Sequence, residues 1–265
     1  MTWTADDLLG VAKAHPGLRL RADGTLVGRL AIVGTLLKGG LVLNPTEEIL
    51  AEPEAQEGYI LDDFEIEVGS RQGCPYLKLP EKRLADTAAA QDIPIIDLHL
   101  YSDQTACTSS PQELEADLLR GLDAETFVCK YVLPFLYGQA YRKRHGRWPW
   151  LELSHGALGL LEWLGRRAFA TDEDVCRTGM SILRLHDPVE GLMILSVRAR
   201  RYQQCPCGSG KQLHQCHRDL KPAIDAIRGA MAQGRLVPLK QALCILRKHR
   251  AAFAASQEQG RRRRV

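Results

Sequence analysis

At 265 residues, with 45% hydrophobic and 25% charged residues, the chain is long enough for one good core plus a second module, and its composition is that of an ordinary globular protein. No apolar run approaches the ~18 residues that a membrane-crossing helix needs. The formal net charge of +3 conceals a polarised chain: residues 198–265 carry 16 Lys and Arg against 3 Asp and Glu, which leaves residues 1–197 net acidic. The basic portion opens with Arg198-Ala199-Arg200-Arg201 and closes with Arg261-Arg262-Arg263-Arg264. Such asymmetry suits an acidic or ribonucleoprotein partner, or contact between the two halves; a solvated face with a frayed tail explains it equally. Met1-Thr2-Trp3-Thr4-Ala5-Asp6-Asp7 lacks the basic and apolar regions of a secretory leader. A cytoplasmic address is expected, so the eight cysteines read as thiols or metal ligands rather than disulfides.

Residues 5–15 read as a short helix ended by His15-Pro16-Gly17. Leu18 to Val33 alternates around Ala22-Asp23-Gly24, a hairpin signal. Gly39-Gly40 and the acidic stretch from Glu52 to Gly58 read as loops. Strands are expected again at Tyr59–Val68, near Leu77–Leu79 and at Ile93–Tyr101. Within the first of these, Asp63-Phe64-Glu65-Ile66-Glu67-Val68 has the period-2 alternation of a half-buried strand. The first half is therefore α+β, an antiparallel sheet with flanking helices, with too few strand-helix-strand alternations for a Rossmann fold.

After Cys107 the pattern turns helical. Ser110-Pro111-Gln112-Glu113 reads as a capping box with Pro at the first helical position, so a short helix follows the thiol closely. Phe127, Tyr131, Phe135 and Leu136 form an apolar stripe, kinked or broken at Pro134. Ala157, Leu161, Leu164 and Ala168 form another. Thr171-Asp172-Glu173-Asp174 interrupts the apolar pattern and puts a domain boundary between Arg167 and Val175. Asp187-Pro188-Val189-Glu190 announces a helix running to about Gln203, and two more flank Gly234, with Leu243, Leu246 and Phe253 among their apolar residues. The expected organisation is a first domain over 1–168, a helical connector over 169–203, a metal knuckle over 204–218 and a basic helical region over 219–265.

The sharpest motif is Cys205-Pro206-Cys207-Gly208-Ser209-Gly210-Lys211, followed by Cys216-His217. Zinc prefers four tetrahedral sulfur or nitrogen ligands, and two short ligand pairs joined by a small loop supply them. A redox role is disfavoured because the first pair lacks the C-x-x-C form. The segment resembles the SEC-C motif, named for the C-terminus of the bacterial preprotein translocase ATPase. That resemblance implies Cys205, Cys207, Cys216 and His217 as ligands of a structural zinc ion, and docking onto another protein or a ribonucleoprotein surface. A closed four-ligand site leaves no open position for catalysis. His214, inside the loop, reads as solvent-facing.

Cys107 falls in the irregular segment between the antiparallel strands and the capped helix, an arrangement that displays a thiol and points to covalent thiol chemistry. Phe64-Glu65-Ile66-Glu67, Pro75, Pro94, His99 and Tyr101-Ser102-Asp103-Gln104-Thr105-Ala106-Cys107 come in an order that resembles the ubiquitin-conjugating-enzyme (UBC) fold. Pro134-Phe135-Leu136-Tyr137-Gly138-Gln139, Trp148-Pro149-Trp150 and Ser154-His155-Gly156 are similar to a second block of its bacterial subgroup. The resemblance spans roughly residues 18 to 165. Two departures stand out: no Asn lies near His99, where the family has His-Pro-Asn, and Gln104 holds the position of a usual Gly.

The resemblance implies that Cys107 accepts the C-terminal glycine of a ubiquitin-like protein as a thioester, delivered by a separate adenylating enzyme and passed on to a target. Backbone N–H groups of Cys107, Thr108 and Ser109 are the expected oxyanion donors. Asp103 and His99 are candidates to orient or desolvate the attacking amine. His99 also suits a pin for the loop, and Asp103 a turn residue. His155 either caps the following helix or approaches the thiol, with Ser154 the expected N-cap. Trp148-Pro149-Trp150 reads as a packing clasp. Cys74 is a second nucleophile candidate; Cys129, Cys176 and Cys244 sit in helical patterns as core or incidental residues. The rival readings are a non-catalytic UBC-like binding module with a zinc-dependent docking tail, and an adaptor holding nucleic acid or ribosomes through the basic C-terminus. No G-x-S-x-G elbow and no P-loop are present, which argues against a serine hydrolase and against self-adenylation.

Overall fold

The computed structural model describes residues 3–80, 83–90, 92–150, 153–185, 188–196, 203–207 and 209–262. Thr4 starts the first helix, α1 (Ala5–Ala14), through a reciprocal cap: its hydroxyl accepts the Asp7 N–H, and the Asp7 carboxylate accepts the Thr4 N–H at 2.8 Å. The helix buries Leu8 and Val11. Five antiparallel strands follow: β1 (Leu18–Leu20), β2 (Leu26–Leu37), β3 (Gly40–Leu43), β4 (Ile60–Arg71) and β5 (Cys74–Lys78). Their order is β1-β2-β4-β5, with β3 also paired to β2. The β2–β4 register sets Leu26 opposite Val68 and Gly34 opposite Ile60. Because the side-chain period is two, that register turns Leu26, Leu30, Ile32, Phe64, Ile66 and Val68 into one buried face.

Between β3 and β4 lie two short helices, α2 (Glu47–Leu50) and α3 (Pro53–Gly58). The acidic stretch expected to be a loop is therefore helical. Pro53 at the first position, where an N–H has no partner anyway, and Glu54 in the first turn account for it. After β5 come α4 (Arg83–Ala90) and a single 3-10 turn at Ile95–Leu98. The strand expected over Ile93–Tyr101 is not formed. Pro94 caps the turn and offers no N–H to a ladder, and what remains is an isolated bridge between Leu100 and Ala106.

Helix α5 (Pro111–Leu119) then begins at the expected place. Ser110 caps it by accepting the Glu113 N–H at 3.2 Å, but the Glu113 carboxylate turns instead to Lys130, so the predicted box is half formed. Helix α6 (Ala124–Phe127), a π turn over Val128–Val132 and α7 (Leu133–His145) form one continuous helical stretch. The predicted break at Pro134 is replaced by this wider turn, in which the Leu133 N–H reaches the Val128 carbonyl. Widening the turn just before a proline relieves the missing donor and the clash with the preceding turn. The buried Tyr137 of α7 donates to the Gly58 carbonyl at 2.6 Å and so fastens the helix to the entry of β4.

The chain divides into two compact units, Met1–Glu152 and Leu153–Val265. Among the described residues the second is mainly helical: α8 (Gly156–Arg166), α9 (Asp172–Arg184), α10 (Pro188–Ser196), α11 (Leu213–Cys216), α12 (Leu220–Ala232) and α13 (Val237–Arg262). Thr171 and Asp174 cap α9 reciprocally, so the acidic stretch read as a boundary is a helix start. Ala168 lies past the end of α8 and is exposed rather than part of its apolar stripe. The expected cap at Asp187 and the continuation of α10 through residues 197–202 fall outside the described residues. The core of this unit joins Leu158 and Leu161 of α8 to Ile224 and Ile227 of α12 and Leu239 of α13. Among the described residues, no helix is long and apolar enough to cross a membrane.

Candidate metal centre and candidate thiol site

The thiol loop is built onto the edge of the sheet. The Leu79 N–H donates to the Gln104 carbonyl at 3.1 Å, and the Ala106 N–H donates to the Leu77 carbonyl at 2.8 Å, so residues 104–106 run beside β5. A tight turn precedes them, closed by Gln104 N–H to the Tyr101 carbonyl and Tyr101 N–H to the Thr105 carbonyl, each at 2.9 Å. Gln104, in the position where a glycine is usual, adopts φ 68°, a left-handed conformation that costs a side chain something. Asp103 is exposed, and its carboxylate accepts the Thr105 N–H at 3.0 Å; that bond lowers its pKa. It is a turn residue here.

Cys107 is half-buried at the end of this run. Its N–H donates to the His99 carbonyl at 2.8 Å, which removes it from the expected set of oxyanion donors. Among the described residues, the amides of Thr108 and Ser109 have no acceptor within the chain, so those two donors remain. The Cys107 Sγ lies 3.9 Å from the Ser109 carbonyl. Burial pushes the thiol pKa up, and a hydrogen bond from the Tyr101 hydroxyl partly offsets that. Tyr101 is half exposed, and its own pKa is raised, first by the facing thiolate.

His99 is held rather than free. It sits at φ 54°, its ring lies edge-on to Trp148 with centroids 5.0 Å apart, and its carbonyl holds Cys107. One residue earlier, the Leu98 carbonyl accepts from the buried Gln139 side chain at 2.5 Å. Trp148 needs a glycine beside it: a Cβ on Gly138 would meet its ring at 2.8 Å and that of Trp150 at 3.0 Å. Neighbouring residues of α7 thus steady the thiol loop, one by a hydrogen bond and one by absent bulk. His155 belongs to the other unit, where it occupies the N-cap position of α8 without a side-chain cap bond. Cys74 is exposed at the start of β5, and Cys129 is exposed with its sulfur 3.4 Å from Glu125. Cys244 is exposed on α13, and Cys176 is half-buried.

In the second unit, the thiols of Cys205, Cys207 and Cys216 and one ring nitrogen of His217 lie within 4.8 Å of one another. A small hairpin supplies the first pair: Cys205 N–H donates to the Lys211 carbonyl and Leu213 N–H to the Gln203 carbonyl, both at 2.8 Å. Helix α11 and the residue after it supply the second. His217 Nδ1 is 3.0 Å from the Cys205 sulfur, and the Cys207 and Cys216 sulfurs are 3.5 Å apart. Three thiols and an imidazole at such spacing fit a tetrahedral zinc ion and leave no vacant ligand position. The knuckle is not a free-standing tip, because Cys205, Leu213 and Leu220 belong to the apolar core of the unit. Without metal, burial raises Cys205 to about 12. At Cys207 burial is outweighed by the Ser209 hydroxyl and amide, which bring the thiol to about 6. Zinc would deprotonate all three thiols. His214 is half-buried in α11 rather than solvent-facing.

Two further residues belong to this centre: Glu162, which had no role in the sequence reading, and Ser154, which was expected to cap the following helix. Glu162, buried in α8, has Oε1 2.9 Å from His217 Nε2; Ser154 donates its N–H to the same carboxylate at 2.7 Å. Ser154 is thus spent on Glu162 rather than capping α8. The available signal was a single acid inside the otherwise apolar run Leu158-Gly159-Leu160-Leu161-Glu162-Trp163-Leu164. Ser154 and Glu162 both face the same ring nitrogen of His217, so the three do not form a hydrolytic triad.

The SEC-C motif matches residues 203–219 of the chain. The four candidate ligands all fall inside that match. No curated protein and no solved structure matches the chain.

Proposed function

We propose that the chain is a conjugating acyl carrier, in which Cys107 receives the C-terminal acyl group of a ubiquitin-like protein from a separate adenylating enzyme and passes it to a target. The reading rests on one observation: a half-buried thiol ends a sheet-anchored loop, directly before a capped helix and against the hydroxyl of the half-exposed Tyr101. Antiparallel strands, the His99–Cys107 loop and helix α5, in that chain order, are compatible with the UBC resemblance drawn over residues 18 to 165. The SEC-C segment, carrying structural zinc, docks the partner or target, and the basic residues beyond 198 favour an acidic protein or ribonucleoprotein surface.

In loading, the Cys107 thiolate attacks the thioester carbonyl carried by the adenylating enzyme. A new C–S bond forms, the donor C–S bond breaks, and the departing thiolate takes up the proton that Cys107 released. In discharge, an amine attacks the same carbon, an amide forms, and Cys107 leaves as a thiolate that is then reprotonated. The amides of Thr108 and Ser109 are the oxyanion donors in this scheme. His99 pins the loop, and Asp103 shapes its turn. Incubation with an adenylating enzyme, its ubiquitin-like protein and ATP should give an adduct that reductant removes. Persistence of that adduct in Cys107→Ala would take the role away from this thiol.

A second reading, a non-catalytic module that binds a ubiquitin-like tail, is favoured by the raised thiol pKa and by the Cys107 N–H being engaged by His99. Measurable binding without any adduct would select it.

A further inference from the structure

The buried carboxylate of Glu162 carries an inference that is independent of the Cys107 chemistry. Its side chain is 3% exposed, and an isolated buried carboxylate is costly unless it is paired and hydrogen-bonded. Its partners are few and close. Oε2 accepts the Ser154 N–H at 2.7 Å, Oε1 accepts the Ser154 hydroxyl at 3.1 Å, and Arg166 Nη2 stands at 3.9 Å. Among the described residues the remaining partner is His217 Nε2, at 2.9 Å from Oε1.

That contact divides the labour of the imidazole ring. A carboxylate only accepts, so the contact suits an Nε2–H that donates to Oε1, and Nδ1 is then the nitrogen turned to the thiols, 3.0 Å from Cys205. A metal-ligating histidine oriented through its other nitrogen is the arrangement that fixes the tautomer and strengthens the ligand. We infer that Glu162 is the outer-shell carboxylate of the metal centre and that the zinc module includes α8 as well as the matched residues 203–219.

The backbone argues the same point independently. A Cβ on Gly165 would lie 1.8 Å from the Asp219 carbonyl oxygen, so only a glycine lets this chain segment rest on α8. On the next residue, Arg166 Nε reaches the Asp219 carboxylate at 3.3 Å. Glu162, Gly165 and Arg166 are spaced three and four apart, hence on one face of the helix. That face receives His217 and Asp219 together. Metal occupancy and the seating of α8 are one event.

The test uses the full chain and measures zinc affinity by chelator competition, with cobalt(II) absorption as a report on the ligand set. Glu162→Gln should weaken zinc binding by about 10- to 100-fold while the cobalt(II) spectrum keeps its tetrahedral, thiolate-rich form. Ser154→Ala, which removes one hydrogen bond to the carboxylate but leaves the carboxylate–imidazole contact in place, should weaken zinc binding by a smaller factor than Glu162→Gln. In a His217→Cys background the Glu162→Gln effect should vanish, since no imidazole remains to orient. Unchanged affinity in Glu162→Gln, or an undiminished loss in the His217→Cys background, would overturn the assignment. Should Glu162→Gln fail to fold even with excess zinc, Glu162→Asp, which draws the carboxylate back by one methylene, replaces it in the same series.

Discussion

Cys107 is a thiol pulled in two directions: burial opposes its ionisation, and the Tyr101 hydroxyl favours it. Alkylation by iodoacetamide, followed at the Cys107 peptide by mass spectrometry, should therefore show a midpoint above the ~8.5 of a free cysteine. Removing the donor in Tyr101→Phe should raise that midpoint further and slow alkylation at pH 8 roughly three- to tenfold. Faster alkylation in Tyr101→Phe would mean that the ring shields the sulfur instead of bonding to it. The cluster that could hold a metal was legible in the sequence because its chemistry is local: four donors within thirteen residues announce themselves by type and spacing. Glu162 and Gln139 were not assigned roles, because each acts on a backbone or ring that the fold brings from far along the chain.

Among the elements, α7 does more than fill the core. Gly138 makes room for the two tryptophan rings, and Trp148 in turn packs against His99. Gly138→Ala should cost about 1–3 kcal/mol by overpacking, measured by denaturant unfolding, and should loosen the thiol loop. An alkylation rate at Cys107 unchanged from wild type, despite that loss, would disconnect the clasp from the thiol. Helix α9 offers a simpler case. Thr171→Ala removes its reciprocal cap and should destabilise the second unit by about 1 kcal/mol. The long strands were readable from their alternation, as Asp63–Val68 shows, whereas Ile93–Tyr101 was misread as a strand. There Ile96-Asp97-Leu98-His99-Leu100 alternates, but the adjacent Ile95 and Ile96 break the phase, Pro94 cannot join a ladder and the chain closes into a 3-10 turn instead. The π turn had no signal of its own beyond Pro134, since wide turns follow from how a helix meets its surroundings.

On the scale of the whole molecule, two cores of different character share one chain, a sheet-and-helix core before residue 152 and a helical one after it. Metal removal should act on one and spare the other. After chelation, amide hydrogen exchange should accelerate in α8, α11 and α12, while β2 and β4 keep their protection. Uniform acceleration through both units would mean that zinc governs the entire fold. The α+β character of the first unit was plain from the sequence, as was the helical character of the second; the point of division was not, because a capped helix start at Thr171 imitates a linker in composition. The strip of residues 104–106 lying along β5 has a further consequence. It acts as a guard rail for the sheet, occupying amide and carbonyl groups that would otherwise recruit a foreign strand. Swinging the thiol outward would strip that rail away and bare the margin, so a reagent such as iodoacetamide meets the sulfur where the loop holds it.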